Sequence, residues 1–481
     1  MAGNGDILKP GGNCWRIEAA DKARLIVDAD DYFAAAQTAM KAARRRIMLI
    51  GWDFDARIRI GDAKDGAPAR IGDFILWLVK RNPELEVYLL RWDFGALKSL
   101  LRGNTIFVLM RWWKHRRIHV KFDSMHPPGA SHHQKILVID DGMAFCGGID
   151  MTDRRWDTRN HEDGDPRRIG PGRKPYEPWH DATMALAGPA AAALGALARD
   201  RWRCATGKAL DPVAPAQGLW PEGLQPDFND ARLAISRTRP EYKELEPCRE
   251  IEQLSLDLIK RARRFIYAEN QYFASRRIGE AIAARMAEPD GPEIVLVGPE
   301  QADGWLEQTA MDSARAWLWR AIGKVDSRRR FRIYHPFTQA GAPIYVHAKI
   351  MVVDDALLRV GSSNWNNRSL RLDTECDLTI EEAGADSRIA AIRNGLMAEH
   401  LGCAPERVGA VFEETGSPIE TIERLRGRGR SLRPYEPPEL SAAEEVLADQ
   451  EALDPENPDE LFEPFSGGGL LRRLPSLRRK S

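Results

Sequence analysis

The chain has 481 residues, 43% of them hydrophobic and 29% charged, enough apolar content to bury one large core or two ordinary ones and too much for a disordered polymer. Seventy basic side chains face 71 acidic ones, a formal charge of −1, so no global field draws the protein to nucleic acid or anionic lipid, and any such attraction is local. Cys14, Cys146, Cys204, Cys248, Cys376 and Cys403 are scattered without a Cys-x-x-Cys pair, and there is neither a basic-then-apolar leader nor an apolar run of about 18 residues. These features predict reduced thiols, no metal, no cofactor and no spanning helix. The setting they imply is cytoplasmic or peripheral to a membrane, with export by a route lacking a standard leader left open.

In chain order, a basic helical stretch leads into a strand-like apolar run over 46–54 (RIMLIGWDF), and 264–273 (RFIYAENQYF) repeats that arrangement about 219 residues later. Strand-like runs follow in step, 86–92 and 119–123 in the first half, 293–299 and 331–337 in the second. Residues 134–140 (QKILVID) and 348–354 (AKIMVVD), offset by 214, read as buried strands, too short and too β-branched for helices. Helical stretches over 190–202 and 251–264 complete an α/β pattern with sheets covered by helices. The weakly patterned, proline-punctuated stretch 206–248 reads as a connection. Expected boundaries are therefore a lobe over 1–205, a connection over 206–248, a second lobe over 249–430, and a poorly ordered acidic and basic tail over 431–481.

The chemistry lies in a duplicated pattern. His133-Gln134-Lys135 is followed by four apolar residues, Asp140, six more residues and Gly147-Gly148-Ile149-Asp150; His347-Ala348-Lys349 is followed by four apolar residues, Asp354, six more and Gly361-Ser362-Ser363-Asn364. Side chains two apart on a strand share a face, so each strand presents one imidazole and one ammonium to a common ligand. Two such strands supply a nucleophile, a proton donor and two fixed cations, the set that phosphodiester cleavage requires without a metal. Lys135 and Lys349 are expected to bind phosphate, helped by the Ser362 hydroxyl and the Asn364 amide. Glycines at 147, 148 and 361 are expected to let backbone approach a ligand. A lone His-x-Lys is usually a surface or core pair, but a second copy at the same internal spacing in a duplicated half is not expected by chance. His132 has Val346 at its matching position and reads as structural.

Both segments resemble the HKD motif of the phospholipase D superfamily. The likeness extends to 147–161 (GGIDMTDRRWDTRNH), 178–181 (PWHD), 268–273 (AENQYF), 345–349 (YVHAK) and 371–375 (RLDTE), which are similar to eukaryotic-type phospholipases D and their bacterial relatives. The resemblance implies two homologous lobes with one active site at their interface, and a ping-pong reaction through a phosphohistidine. By similarity His133 is the nucleophile and His347 the acid and base, Asp157 and Glu375 orient the imidazoles, and Asp140 and Asp354 end their strands and fix the lysines. The implied reaction converts a phospholipid at a membrane surface to phosphatidic acid and a free alcohol, with transfer to other alcohols, by a monomer. A cardiolipin synthase-type transferase is the alternative, and a nuclease is disfavoured by the balanced charge. The run Arg111-Trp112-Trp113-Lys114-His115-Arg116-Arg117 suits either a lipid boundary or an amphipathic helix with half-core tryptophans, as do Trp305, Trp317 and Trp319.

Overall fold

The computed structural model describes residues 7–62, 66–93, 110–112, 114–302 and 305–439. Alternating and wholly apolar runs become the strands β1 (Arg16–Val27), β2 (Arg46–Gly51), β3 (Glu86–Trp92), β4 (Ile118–Asp123), β5 (Ile136–Ile139), β6 (Met143–Gly147), β7 (Trp179–His180) and β8 (Ala182–Ala187). The second half supplies β9 (Phe228–Arg239), β10 (Cys248–Arg249), β11 (Phe265–Asn270), β12 (Glu293–Val297), β13 (Phe331–Phe337), β14 (Tyr345–Val346), β15 (Lys349–Val353), β16 (Leu357–Gly361), β17 (Glu375–Glu381) and β18 (Ser431–Pro434). They join in one sheet of order β18-β13-β12-β11-β15-β16-β17-β9-β1-β8-β6-β5-β2-β3-β4, with β10 beside β9 and β7 paired with β14 apart from it.

The duplication is explicit in that order. Outward from the centre, β1-β8-β6-β5-β2-β3-β4 mirrors β9-β17-β16-β15-β11-β12-β13, and β1 and β9 pair antiparallel at the middle with Arg16 opposite Ile235 and Ala23 opposite Phe228. The strands β2-β3-β4 and β11-β12-β13 that end the two series are parallel, as crossover helices demand, and the other neighbours in the sheet are antiparallel. One face of the sheet carries helices Pro189–Thr206 and Ser387–Leu401 over a core that runs through both lobes. The opposite face is covered by Ala29–Lys41 and Ile71–Arg81 in the first lobe and by Glu250–Arg261, Arg276–Ala287 and Trp305–Gly323 in the second.

Two expected boundaries move. The stretch 206–248 is not simply a connection, because it contains β9, the strand of the second lobe that meets β1 at the middle of the sheet; that lobe begins at Phe228 instead of 249. Asn229, Asp230, Arg232, Ser236, Arg237 and Thr238 interrupt the apolar residues of β9 (FNDARLAISRTR), which conceals the strand from a search for apolar runs. Residues 431–434, expected in a disordered tail, form β18 on the edge of the sheet against β13, and Tyr435 beyond them is buried. Residues 440–481 lie outside the described residues. Among the described residues no helix is long and apolar enough to cross a membrane.

Candidate active site

Each His-x-Lys segment is clamped to the opposite lobe before its strand begins. The His133 amide donates to the Thr374 carbonyl at 3.0 Å, and the Thr374 amide to the Ser131 carbonyl at 3.0 Å. On the other side β14 runs parallel to β7, and the His347 amide donates to the His180 carbonyl at 2.7 Å. The residues that follow those anchors, Glu375 and Asp181, carry carboxylates.

Those carboxylates meet the imidazoles across the lobe boundary. His133 Nδ1 lies 2.9 and 3.0 Å from the two oxygens of Glu375, and His347 Nδ1 lies 2.6 Å from Asp181 Oδ2. A carboxylate on Nδ1 fixes ring orientation and tautomer and leaves Nε2 for chemistry. The sheet register makes the two acids equivalent: Gly147 stands opposite Thr183 and Gly361 opposite Asp377, so Asp181 and Glu375 each lie two residues before that point. Glu375 thus lies against the imidazole of the other lobe. Asp157 is not its counterpart. Its oxygens take His161 Nδ1 at 2.9 Å, Arg168 Nη1 at 3.1 Å and the Trp179 amide at 2.9 Å, in a buried network away from both imidazoles.

The lysines lie beneath the same space. Lys135 Nζ donates to the His133 carbonyl at 2.9 Å and sits 3.3 Å from Asp150 Oδ2. Lys349 Nζ donates to the His347 carbonyl and, at 3.1 Å, to Gln271 Oε1, so an amide oxygen stands where Lys135 has a carboxylate. Asn364 Nδ2 approaches the same Gln271 oxygen at 3.4 Å, while buried Asn364 Oδ1 has no hydrogen-bond partner among the described residues. Ser362 is not available to a phosphate: its hydroxyl donates to Glu375 and accepts the Cys376 amide at 3.1 Å, so it positions the orienting acid.

The remaining motif residues serve the scaffold. Asp140 and Asp354 do not touch the lysines; each accepts three successive backbone amides, those of 44–46 and 263–265, and so seals the turn into β2 or β11. The glycines admit neighbouring chain rather than ligand. A Cβ on Gly147 would strike Thr183, one on Gly361 would strike Asp377, and one on Gly148 would strike the Asp181 carboxylate that holds His347. His132 is fully buried, with Nδ1 2.7 Å from Thr374 Oγ1, as a structural residue should be. Trp112 is fully buried and donates its indole N–H to the Gly72 carbonyl, while Trp317 and Trp319 pack against the second-lobe core; Trp113 and the Trp305 side chain lie outside the described residues.

Sequence reasoning missed Asp181, Gln271 and two indoles. The Trp52 ring stands edge-on to His133 at 6.2 Å, and Trp179 lies 5.1 Å from His347 with the Arg155 guanidinium stacked over it at 4.1 Å. Trp52 and Gln271 follow β2 and β11 at equivalent positions, so the doubled pattern held that signal.

Electrostatics tie the halves together. Burial, then Lys135 and Lys349, hold His133 well below its ordinary value; burial, then Lys349, Arg155 and Lys135, do the same to His347. Burial likewise raises Glu375 well above the carboxylate range. Burial, with Lys135 adding to it, lowers Lys349 to about 7. A cation with a depressed value is lost as pH rises through that value, so the affinity of the site for inorganic phosphate is expected to weaken above about pH 7. A bound anion favours the ammonium and moves that limb to higher pH. Phosphate affinity that stays flat to strongly alkaline pH would contradict this.

The family described as "Cardiolipin synthase, PLD-like domain" matches residues 255–394. The chain is 25% identical over 482 residues to "Phospholipase D A" of Dictyostelium discoideum, covering 80% of this chain and 36% of that protein. It is 26% identical over 273 residues to "Cardiolipin synthase A" of Pectobacterium carotovorum, covering 55% of this chain and 48% of that one. The chain thus spans about a third to a half of these relatives. In fold it is similar to phosphatidylserine synthase of Haemophilus influenzae, with a TM-score of 0.55 and 15% identity over 85% of this chain and 96% of the other. The doubled α/β sheet, the motif strand in each half and these similarities together support the phospholipase D superfamily.

Proposed function

We propose that this protein is a phospholipase D, cleaving the distal phosphodiester bond of a glycerophospholipid to phosphatidic acid and a free alcohol. The observation that carries this reading is the crossed pair of imidazole–carboxylate contacts, His133 with Glu375 and His347 with Asp181, set over two buried lysines. One chain supplies both halves, so a monomer suffices.

In the first step the neutral Nε2 of His133 attacks phosphorus, the P–O bond to the headgroup breaks, and His347 donates a proton to the departing alkoxide. Lys349 is among the charges that deny His347 a proton in the free protein; the phosphodiester anion offsets that charge and lets His347 arrive protonated. In the second step His347 takes a proton from water, the new P–O bond forms, and the P–N bond breaks. Lys135, Lys349 and the Asn364 amide steady the phosphoryl oxygens throughout. No step in this scheme draws on a metal.

The acceptor is whichever hydroxyl reaches the phosphohistidine, so transfer competes with hydrolysis. The family match over 255–394 favours a second reading in which a lipid alcohol is the physiological acceptor, as in a cardiolipin synthase. The test is product analysis from mixed phospholipid vesicles with and without ethanol. Phosphatidic acid, diverted to phosphatidylethanol by ethanol, is the expected result. Products only when a second lipid alcohol is present would favour the transferase, and no lipid product at all would overturn both readings.

A further inference from the structure

Behind the crossed pairs lies a second buried cluster that the reaction does not use. Asp28 follows β1, His161 lies on the loop after the first motif, His180 ends β7, and Glu399 comes from helix Ser387–Leu401 of the other lobe; all four are buried. Each offers one ligating atom, and these atoms all lie within 4.8 Å of one another. We infer that Asp28, His161, His180 and Glu399 hold a divalent cation of the zinc class that pins the two lobes together.

The spacing brackets that of a tetrahedral ion, with Asp28 facing His180 through one carboxylate oxygen and His161 through the other. His180 Nδ1 is 2.8 Å from Glu399 Oε1 and 3.4 Å from Asp28 Oδ1; His161 Nε2 is 3.1 Å from Glu399 Oε1 and 3.6 Å from Asp28 Oδ2. Bonds of about 2.0–2.1 Å at tetrahedral angles place donor atoms about 3.3 Å apart.

Orientation is the independent sign. His180 Nδ1 and Asp28 Oδ2 are buried and make no hydrogen bond among the described residues, although carboxylate or imidazole atoms stand close by. A nitrogen lone pair aimed between two carboxylates is satisfied by an ion at their common centre.

The outer shell has the form that metal-binding histidines need. His161 Nδ1 is 2.9 Å from Asp157 Oδ2, and His180 Nε2 is 2.7 Å from Glu269 Oε2, so a carboxylate fixes each ring and turns its other nitrogen toward the cluster, where His161 Nε2 is within hydrogen-bond distance of Glu399 Oε1. Glu399 uses one oxygen toward the cluster and gives the other to Arg159 Nε at 2.5 Å. This explains Asp157, whose position after the motif resembled that of a catalytic partner. Without an ion the same carboxylates would be met by two extra protons, one on each imidazole, and a divalent cation replaces those two charges at equal net charge.

Four protein donors and no solvent exposure describe a closed, structural site. Its reach to the reaction is one residue long: Asp28 Oδ1 accepts the Asp181 amide at 3.0 Å, and the His180 carbonyl accepts the His347 amide.

The test is metal content of the full-length protein after exposure to zinc and exhaustive dialysis. One zinc per chain is expected, with tetrahedral visible bands when cobalt(II) replaces it. His133→Ala should keep the ion, while His161→Gln and Glu399→Gln should lose it and melt at lower temperature. Should those two variants fail to fold, X-ray absorption of the wild-type zinc protein decides: two nitrogen and two oxygen donors at about 2.0 Å support the site, and any other set overturns it. A cooperatively folding wild-type protein that stays ion-free after zinc and cobalt, or a His161→Gln variant that keeps its zinc, also overturns it.

Discussion

Replacing either histidine of the doubled motif is expected to cut turnover of a natural phospholipid by about 10,000-fold or more, with only one of the two variants accumulating phosphorylated protein. His347 is buried and His133 half-buried, both are hydrogen-bonded through Nδ1, and burial and the same lysines lower both, so ground-state geometry treats them nearly alike. Their roles separate in time. If His133 is the nucleophile, His133→Ala forms no covalent species with any substrate. His347→Ala lacks the acid that a natural alkoxide needs. A substrate with a nitrophenolate leaving group needs no protonation, so this variant should give one rapid turnover and then stall as phosphohistidine for want of a base. Acid-labile, alkali-stable phosphate on His347→Ala is the expected outcome, and the same species on His133→Ala would reverse the assignment. Appreciable turnover of a natural substrate by either variant would sink the shared site altogether.

How much of this was legible beforehand follows from which signals are local. The motif strands are short, apolar and evenly spaced, so β5 and β15 and the residues just before them were readable from alternation alone. The strands β2, β3, β11 and β12 were likewise apolar runs in step. The central pair β1 and β9 escaped because polar residues interrupt both, and prolines around β9 made its neighbourhood look like a linker. Asp181 escaped for a different reason. It lies 34 positions after Gly147, whereas Glu375 lies only 14 after Gly361, because the first lobe inserts a longer loop. Counting from the motifs therefore selected Asp157, and only the strand register reveals the equivalence. That each acid serves the other lobe's imidazole could not be read from spacing at all, since sequence separation does not encode which strands meet across an interface.

That crossing gives the second large effect: Asp181→Asn should lower kcat by about a thousandfold to ten-thousandfold with little change in KM, the cost of losing tautomer and orientation at a histidine. Asp181 reaches the substrate only through His347 Nδ1, so its loss belongs to the steps in which His347 moves a proton. Glu375→Gln acts on His133 and should slow phosphoenzyme formation, whereas Asp181→Asn should slow departure of a natural alkoxide and hydrolysis of the intermediate. Pre-steady-state kinetics with a nitrophenyl substrate separates the two: Asp181→Asn keeps a burst followed by slow turnover, and Glu375→Gln loses the burst. Asp157→Asn is the discriminating companion. Its contacts are His161, Arg168 and a backbone amide, so it should destabilise the fold, by about 3–5 kcal/mol if buried charges are left unpaired, and leave that burst in whatever protein remains folded. A lost burst in Asp157→Asn together with a normal one and fast turnover in Asp181→Asn would return the orienting role to the residue that motif spacing first suggested.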